Sequence, residues 1–261
     1  MQIESAQNPK IKNLLKLQEK SRERKKQGLF VVEGIQENRL ALSSGYEPQE
    51  FFVCRDIFNS ALDLSEFKKV NAPPPLFEKI AYRGTTGGII GIYKTKSFDL
   101  KEIKLPENAL IVILEAVEKP GNLGAVLRTC DGANVDLLIV CDPLADFYNP
   151  NVIRSSVGTV FTNRVISEEK EKVVEWLRHN KVQIVSTFLH EETKDLYETN
   201  LSKSSAIVLG TEATGLSDFW VKNSDILIKI PMNGKADSLN VSNAAAICIY
   251  EAFRQKNYSK T

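Results

Sequence analysis

Short apolar runs separated by amphipathic stretches dominate the second part of the chain. The runs occupy residues 109–117, 136–141, 182–189, 205–210 and 225–231. Helical patterns lie between them, for example at 168–180 and 215–222. Continuous apolar runs that alternate with helices are typical of parallel strands covered on both faces. The pattern therefore predicts an α/β domain, residues 106–261, with a parallel sheet and helices on both of its faces.

The first hundred residues show a smaller alternating pattern. Residues 8–27 predict one basic amphipathic helix, with the apolar residues Ile11, Leu14, Leu15 and Leu17 on one side. A second helix is predicted at 35–44, and strands at 28–34, 50–54 and 87–93. The prolines at 73–75 predict a rigid loop, and 96–108 loses its periodicity as a linker does. We therefore expect a small α/β domain over residues 1–97.

Composition excludes several classes of protein. The chain has 261 residues, of which 43% are hydrophobic, and no run approaches the roughly 20 apolar residues of a membrane span. The N-terminus lacks the apolar segment of a secretory signal. The cysteines are widely spaced without a C-x-x-C pair, which argues against a zinc site or a disulfide framework. We expect a cytoplasmic protein, no membrane partner, and solvated surface positions for His179 and His190.

The distribution of charge is more informative than the net charge of +1. Between Asn8 and Lys26 the chain carries eight basic and two acidic residues. Such a segment can follow a phosphate backbone. On charge alone, a solvated helix face is the slightly favoured interpretation.

Polar residues follow the first apolar run of the predicted sheet. Pro120-Gly121 forces a turn, Asn122 can cap a helix, and Arg128 lies two turns further along. Ligands of open parallel sheets bind beyond the carboxyl ends of the strands, so Asn122 and Arg128 could hold a phosphate or a ribose. The alternative is a helix cap followed by a surface arginine.

Two later runs also end in unusual loops. Gly210 and Gly215 bracket Glu212, which either shapes a ligand-binding loop or belongs to an ordinary turn. Ser238–Ser242 offers three polar N-cap candidates before the last helix. The glycine fingerprints of dinucleotide and nucleoside triphosphate sites are absent. Three strand ends thus carry polar residues that a common ligand could use.

The segments NLGAVLRT, LGTEATGL and IPMNGKADSLNVSNAAA resemble, in order and spacing, the three motifs of the SpoU/TrmH family of RNA ribose 2'-O-methyltransferases, within the SPOUT class. The resemblance covers roughly residues 109–256, and RSSVG at 154–158 is similar to a further family segment. NPKIKNLLKL followed by GLFVVEG resembles the ribosomal-protein-like RNA-binding extension of some members.

This resemblance implies a C-terminal trefoil knot, S-adenosylmethionine bound within it, and a homodimer with sites at the interface. The implied cofactor-binding residues are Thr187, Leu209, Gly210, Ile230, Met232, Ser238 and Leu239. The implied catalytic residues are Arg128, Asn122, Glu212 and Asn240. Arg128 would hold RNA phosphate and assist deprotonation, Asn122 and Glu212 would orient that network, and Asn240 would hold the last loop while Ser242 caps the helix.

The expected substrate is a ribose 2'-hydroxyl of structured RNA, and ribosomal RNA is preferred over transfer RNA. No metal is expected to take part. The RNA contacts implied are Lys10, Lys12, Arg22, Arg24, Lys25, Lys26 and Arg154. Two rival functions remain: an RNA-binding protein of this fold without catalysis, and an α/β enzyme with another nucleotide cofactor. The intact motif residues argue against the first, and the missing glycine fingerprints argue against the second.

Overall fold

The computed structural model describes residues 2–82, 87–117, 119–141, 146–190, 193–210 and 215–258. Its contacts divide the chain into two compact units. Unit 1 comprises Met1–Lys96 and Asp146–Thr162, and unit 2 comprises Ser97–Ala145 and Asn163–Thr261. The predicted domains were continuous in sequence, whereas this division assigns the segment Asp146–Thr162 to unit 1.

Helices and strands alternate along most of the chain. The helices are α1 (Pro9–Glu19), α2 (Ser21–Gln27), α3 (Ile35–Ser43), α4 (Pro74–Ile80), α5 (Pro120–Gly132), α6 (Pro150–Ser155), α7 (Lys170–His179), α8 (Asp218–Asn223) and α9 (Val241–Tyr258). The strands are β1 (Leu29–Glu33), β2 (Pro48–Val53), β3 (Lys69–Asn71), β4 (Ile89–Lys94), β5 (Leu110–Glu115), β6 (Leu137–Cys141), β7 (Val165–Ser167), β8 (Gln183–Thr187), β9 (Lys194–Asp195), β10 (Ser205–Leu209) and β11 (Ile226–Lys229). Within the described ranges, no helix is both long and apolar enough to cross a membrane.

Unit 1 is built on a mixed sheet in the order β1-β4-β2-β3. β4 runs antiparallel to both β1 and β2, and β2 runs parallel to β3. The apolar side of α1 packs on one face of this sheet, where Ile11, Leu14 and Leu17 are fully buried in a cluster with Phe52 and Ile90. The amphipathic pattern of the first segment therefore identified its core face correctly.

The segment Asp146–Thr162 is anchored in unit 1 by an ion pair and by aromatic packing. The guanidinium of Arg24 donates from Nε to Asp146 Oδ2 at 3.0 Å and from Nη2 to the same oxygen at 2.5 Å. The Tyr148 ring stacks on Phe30 with centroids 4.2 Å apart, and Phe161 lies 5.8 Å from the same ring. Buried aromatic pairs of this kind stabilise a core beyond the area they bury.

Unit 2 is built on a parallel sheet in the order β7-β6-β5-β10-β8-β11-β9. α7 and α8 pack on one face, where Val173, Leu177 and Trp220 join Ile111 and Ile113 in the core. α9 contacts β5 and β10 and also packs on α5. The predicted α/β fold with a parallel sheet flanked by helices is confirmed, and the trefoil knot stays a prediction.

Several local predictions were wrong. The chain between residues 8 and 27 forms two helices, because Lys20 adopts an extended backbone conformation. The prolines at 73–75 do not form a loop: α4 begins at Pro74, since proline is well suited to the first turn of a helix. The predicted linker contains a 3-10 turn, Leu100–Glu102, and Leu100 is buried in the core of unit 2.

Three short strands were not predicted at all. They are β3, β7 and β9, of two or three residues each. Segments this short carry too few residues to show an alternation of apolar and polar positions. β7 and β9 form the two edges of the sheet in unit 2.

Candidate functional site

A cavity of about 360 Å³ lies beyond the carboxyl ends of β8, β10 and β11 in unit 2. We call it the strand-end cavity. All seven residues predicted to bind a cofactor line it, namely Thr187, Leu209, Gly210, Ile230, Met232, Ser238 and Leu239. Parallel strands bring their carboxyl ends to one edge of a sheet, which explains why residues far apart in sequence meet here.

Other residues of this cavity were not among the predicted cofactor contacts, although Gly215 was already placed in a possible ligand-binding loop. They are Phe188, Leu189, Gly215, Leu216, Ile228, Lys229, Asp237, Val241 and Ala244. Phe188 and Leu189 directly follow β8, so their position after a predicted strand could have indicated them. Val241 and Ala244 are three residues apart on α9 and so share one face of that helix. The lining is mostly apolar with a few polar groups, as is typical of sites for small organic ligands.

The backbone around Gly210 and Gly215 is tightly packed. A Cβ atom at Gly210 would lie 2.3 Å from the carbonyl carbon of Gly215 and 2.5 Å from the Leu216 nitrogen. Gly215 itself adopts a φ of 67°, in the left-handed region that favours glycine. Only glycine at position 210 therefore permits this close approach, which forms part of the cavity wall.

Asn240 joins the last loop to α5. Its Nδ2 donates to Asn122 Oδ1 at 3.4 Å, which brings together two of the predicted catalytic residues. Its Oδ1 accepts from the Ser242 backbone nitrogen at 2.9 Å and from Ser242 Oγ at 2.6 Å. Because α9 begins at Val241, this is the geometry of an N-cap. Asn240 rather than Ser242 therefore caps α9.

Asn122 and Arg128 occupy different sides of α5. The helix begins at Pro120, so Asn122 lies in its first turn and does not precede it as a cap. Six residues of an α-helix correspond to a rotation that leaves the two side chains about 120° apart. Arg128 is exposed and is not among the residues that line the strand-end cavity of its own chain. Glu212 lies outside the described residues.

The predicted RNA contacts of unit 1 separate into two groups. Lys12, Arg22, Lys25 and Lys26 are exposed, as is Arg154 on α6. Lys10 forms an ion pair with Glu50 and is about one quarter exposed. Arg24 is only 3% exposed, and besides Asp146 it donates to the carbonyl oxygens of Leu17 and Gln18. Arg24 was wrongly predicted as an RNA contact, because the core of unit 1 uses its donors.

A carboxylate at the end of β1 has an unusual pKa. Burial raises the pKa of Glu33 to about 7, opposed by hydrogen bonds from the Tyr82 backbone nitrogen and Gln18 and by the charge of Arg154. Gln18 Nε2 donates to Glu33 Oε1 at 2.6 Å. Burial also raises the pKa of Glu37 on the neighbouring helix. Across the residues that the structure describes, no group of three potential metal ligands was found.

Most of unit 2 matches a family of known proteins. Residues 109–250, more than half of the chain, match the SpoU rRNA Methylase family. The chain belongs to this family. The resemblance drawn from the three motifs is thereby confirmed. Residues 8–91 match a second family, the MRM3-like substrate binding domain, and this match lies within the first segment of unit 1.

Individual relatives match over nearly the whole chain. The 23S rRNA (guanosine(2553)-2'-O)-methyltransferase RlmP of Bacillus subtilis is 31% identical over 95% of this chain and 98% of its own length. The crystal structure of an RNA 2'-O ribose methyltransferase has a TM-score of 0.85 at 35% identity, covering 98% of this chain and 99% of the other. AviRb from Streptomyces viridochromogenes, in complex with AdoMet, has a TM-score of 0.89 at 25% identity, covering 97% and 100%.

Proposed function

We infer that this chain is an S-adenosylmethionine-dependent methyltransferase that modifies a ribose 2'-hydroxyl of ribosomal RNA. The observation that carries the inference is the strand-end cavity, which gathers all seven residues expected to hold the cofactor. Its volume of about 360 Å³ suits a nucleoside-sized ligand. The AdoMet complex of AviRb and the activity named for RlmP support the same assignment.

The residues of the cavity fit the cofactor chemically. Leu209, Ile230 and Leu239 offer apolar surface for an adenine ring, and Thr187 and Ser238 offer hydroxyl groups for its polar substituents. When bound, S-adenosylmethionine supplies a methyl group on a sulfonium sulfur and is left as S-adenosylhomocysteine. The protein must place the ribose oxygen in line with that methyl group, and positioning of this kind lowers a barrier substantially.

The 2'-hydroxyl has to lose its proton as the new O–C bond forms, and that proton passes to an RNA phosphate oxygen or to solvent water. We assign Arg128 to the RNA phosphate and to the negative charge that develops on the ribose oxygen. A guanidinium holds its proton too tightly to act as a general base, so the contribution of Arg128 is electrostatic. The Asn122–Asn240 pair would hold the loop between the cofactor and the ribose, and Glu212 would orient the same network.

The position of Arg128 supports a homodimer. Its side chain is exposed and lies outside the cavity of its own chain. A second copy would bring one subunit's Arg128 to the other subunit's cavity, which is possible in a two-fold symmetric dimer. We therefore propose a homodimer in which each of the two sites is formed by residues of both subunits. We also propose that the enzyme acts in the cytoplasm, where ribosomal RNA is available to it.

Mixing two inactive variants tests this arrangement. Ala244→Phe fills the cavity that Ala244 lines, and Arg128→Ala removes the guanidinium. If Arg128 acts on the partner's cavity, random reassociation of the two variants restores about one quarter of the wild-type activity, since half of the dimers then contain one complete site. If Arg128 acts within its own chain, the mixture stays inactive. Asn243→Phe, on an exposed neighbouring position, is the control for the bulk of the new ring.

Unit 1 is proposed to bind the RNA. The match of residues 8–91 to a substrate binding domain supports this role, as do the exposed cations Lys12, Arg22, Lys25 and Lys26. Phosphate contacts made by such residues weaken with salt. Arg154 joins this group as an exposed cation of the same unit.

Two measurements decide the proposed function. Calorimetry with S-adenosylmethionine shows whether the purified protein binds the cofactor. Transfer of a labelled methyl group to ribosomal RNA and to transfer RNA, followed by mapping of the product, identifies the substrate. We expect cofactor binding and transfer to ribosomal RNA. Binding of RNA without binding of the cofactor would instead indicate a member of the family without catalysis, and labelling of transfer RNA alone would exclude ribosomal RNA as the substrate.

A further inference from the structure

A buried carboxylate stands at the carboxyl end of β5, an interior strand of the sheet in unit 2. Glu115 is 8% exposed, and the structure surrounds it with donors from two other elements. Its Oε2 accepts from the Ser217 backbone nitrogen at 2.8 Å, and its Oε1 accepts from Ser217 Oγ at 2.6 Å. Lys170 Nζ lies 3.5 Å from the same Oε1. Both oxygens of the Glu115 carboxylate therefore accept hydrogen bonds from one residue, Ser217.

This contact joins segments that are far apart in the sequence. Glu115 ends β5, and β5 pairs with β10 up to Leu114 and Leu209. Ser217 directly follows Gly215 and Leu216, which line the strand-end cavity. Gly215 and Leu216 also press against Gly210 at the end of β10. Glu115 thus holds the end of the segment that forms one wall of the cavity.

Further features around Glu115 indicate that its surroundings are arranged about its carboxylate. Ser217 stands at the N-cap position of α8, yet its side chain makes no cap hydrogen bond and turns to Glu115 instead. Lys170 is held between Glu115, Ser217 Oγ at 3.4 Å and the face of the Phe219 ring. The next residue after Glu115, Ala116, adopts a φ of 52°. A non-glycine residue in this region is strained, and such strain persists only where the surroundings impose it.

We propose that Glu115 is a positioning residue, which pins Ser217 and thereby sets the shape of the cavity wall at Gly215 and Leu216 for S-adenosylmethionine. This inference rests on the proposed function. Glu115 does not touch the cavity and is not a catalytic residue. It acts through Ser217, with Lys170 balancing the buried charge. The expected consequence is an effect on cofactor affinity rather than on the chemical step.

Glu115→Gln tests the proposal because it preserves size but leaves one acceptor oxygen for two Ser217 donors. We expect the Kd of S-adenosylmethionine, measured by calorimetry, to rise about 10-fold, as for the loss of one hydrogen bond to a charged group. The KM for the cofactor should rise similarly, while kcat at saturating cofactor and RNA changes less than about threefold. Ser217→Ala should weaken binding in the same direction, and Ser217→Thr, which keeps the hydroxyl, should restore it.

Glu251→Gln is the matched control. Glu251 is also 8% exposed, lies in unit 2, and accepts from Arg254 and Gln255 at positions that do not line the cavity. Its loss should lower thermal stability and leave cofactor affinity unchanged. Equal Kd values for wild type and Glu115→Gln would overturn the inference and leave the proposed function intact. Failure of the wild type itself to bind S-adenosylmethionine would overturn both. A fall in kcat with an unchanged KM would contradict a positioning role toward the cofactor.

Discussion

The two units of the chain use their sheets in different ways. In unit 2 the paired strands are parallel, so the carboxyl ends of β8, β10 and β11 meet at one edge and enclose a cavity there. In unit 1, β4 runs against both of its neighbours. The carboxyl ends of these strands therefore lie at opposite edges, and the exposed charges are carried by helices such as α2.

Because of this difference, a charged side chain has a different significance in unit 1 and in unit 2. A cation on the surface of unit 1 is a candidate for phosphate only when its donors are free for solvent, a condition that Arg24 does not meet. A polar group near the strand ends of unit 2 is a candidate for the site even when it is buried, because it can position a wall of the cavity, as we propose for Glu115. The following predictions test that division.

The largest effect is expected from Arg24→Met. It removes four donor contacts from a buried guanidinium and leaves Asp146 without its cation. Breaking a buried ion pair by removal of one partner costs about 3–5 kcal/mol. Chemical unfolding should show this loss, whereas Lys26→Met, at an exposed position of α2, should change stability by less than about 0.5 kcal/mol. If Arg24→Met kept the wild-type stability but bound RNA more weakly, Arg24 would be an RNA contact and not part of the core.

The next effect concerns the reaction itself. Arg128→Ala should reduce single-turnover methyl transfer by at least ~100-fold, the lower end of what a charge-stabilising group contributes. Folding and cofactor affinity should stay near those of the wild type, because Arg128 does not line the cavity. Arg128→Lys should restore little, since an ammonium cannot reproduce the planar fork of a guanidinium.

Arg164→Ala provides the comparison for Arg128, because Arg164 is an exposed arginine of the same unit. Its methyl transfer should equal that of the wild type. Equal rates for Arg128→Ala and Arg164→Ala would show that Arg128 is an ordinary surface residue of α5.

A smaller effect is expected on RNA binding when Lys12, Arg22 and Lys26 are all replaced by alanine. Each lost phosphate contact weakens binding, so we expect a decrease of about 10-fold at moderate salt and a shallower dependence of affinity on salt. Filter binding at several salt concentrations measures both. The binding of S-adenosylmethionine should not change, which separates the roles of the two units. Full RNA affinity in the triple variant would place the RNA surface elsewhere.

The smallest effect concerns pH and Glu33. Its pKa is raised from 4.5 to about 7 in the folded chain, so the folded state binds the proton more tightly than the unfolded state does. Stability from this group is fully present below pH 4.5 and is lost as the pH rises through about 7. Glu33→Gln removes this loss. We therefore expect Glu33→Gln to gain about 2–3 kcal/mol over the wild type between pH 5 and pH 8.

Urea unfolding at the two pH values measures that gain. Glu78→Gln is the control, since Glu78 is exposed on the same unit, and it should show no comparable difference. A stability difference between Glu33→Gln and wild type that does not vary with pH would mean that Glu33 is ionised throughout this range.

Local pattern determined much of this protein. Strands buried on both faces require continuous apolar runs, and this is why β5, β6, β8 and β10 could be predicted. A parallel sheet brings the ends of such strands to one edge, which indicated where a ligand could bind. The individual residues of the cavity were implied by the resemblance of the three motifs to the family. The apolar side of α1 followed from helical spacing for the same kind of reason: the side chains that repeat with the helix are the ones that meet the core.

Tertiary structure decided the rest, because the deciding contacts join distant residues. Arg24 and Asp146 are 122 positions apart, and Glu115 and Ser217 are 102 apart. No periodicity within α2 distinguishes Arg24 from its exposed neighbours, and Glu115 reads in sequence as the polar end of an apolar run. The assignment of Asp146–Thr162 to unit 1 depends likewise on rings that meet only after folding. A pattern reports which face of an element is buried, whereas the partner of a buried charge is set by the packing of elements that sequence order does not make neighbours.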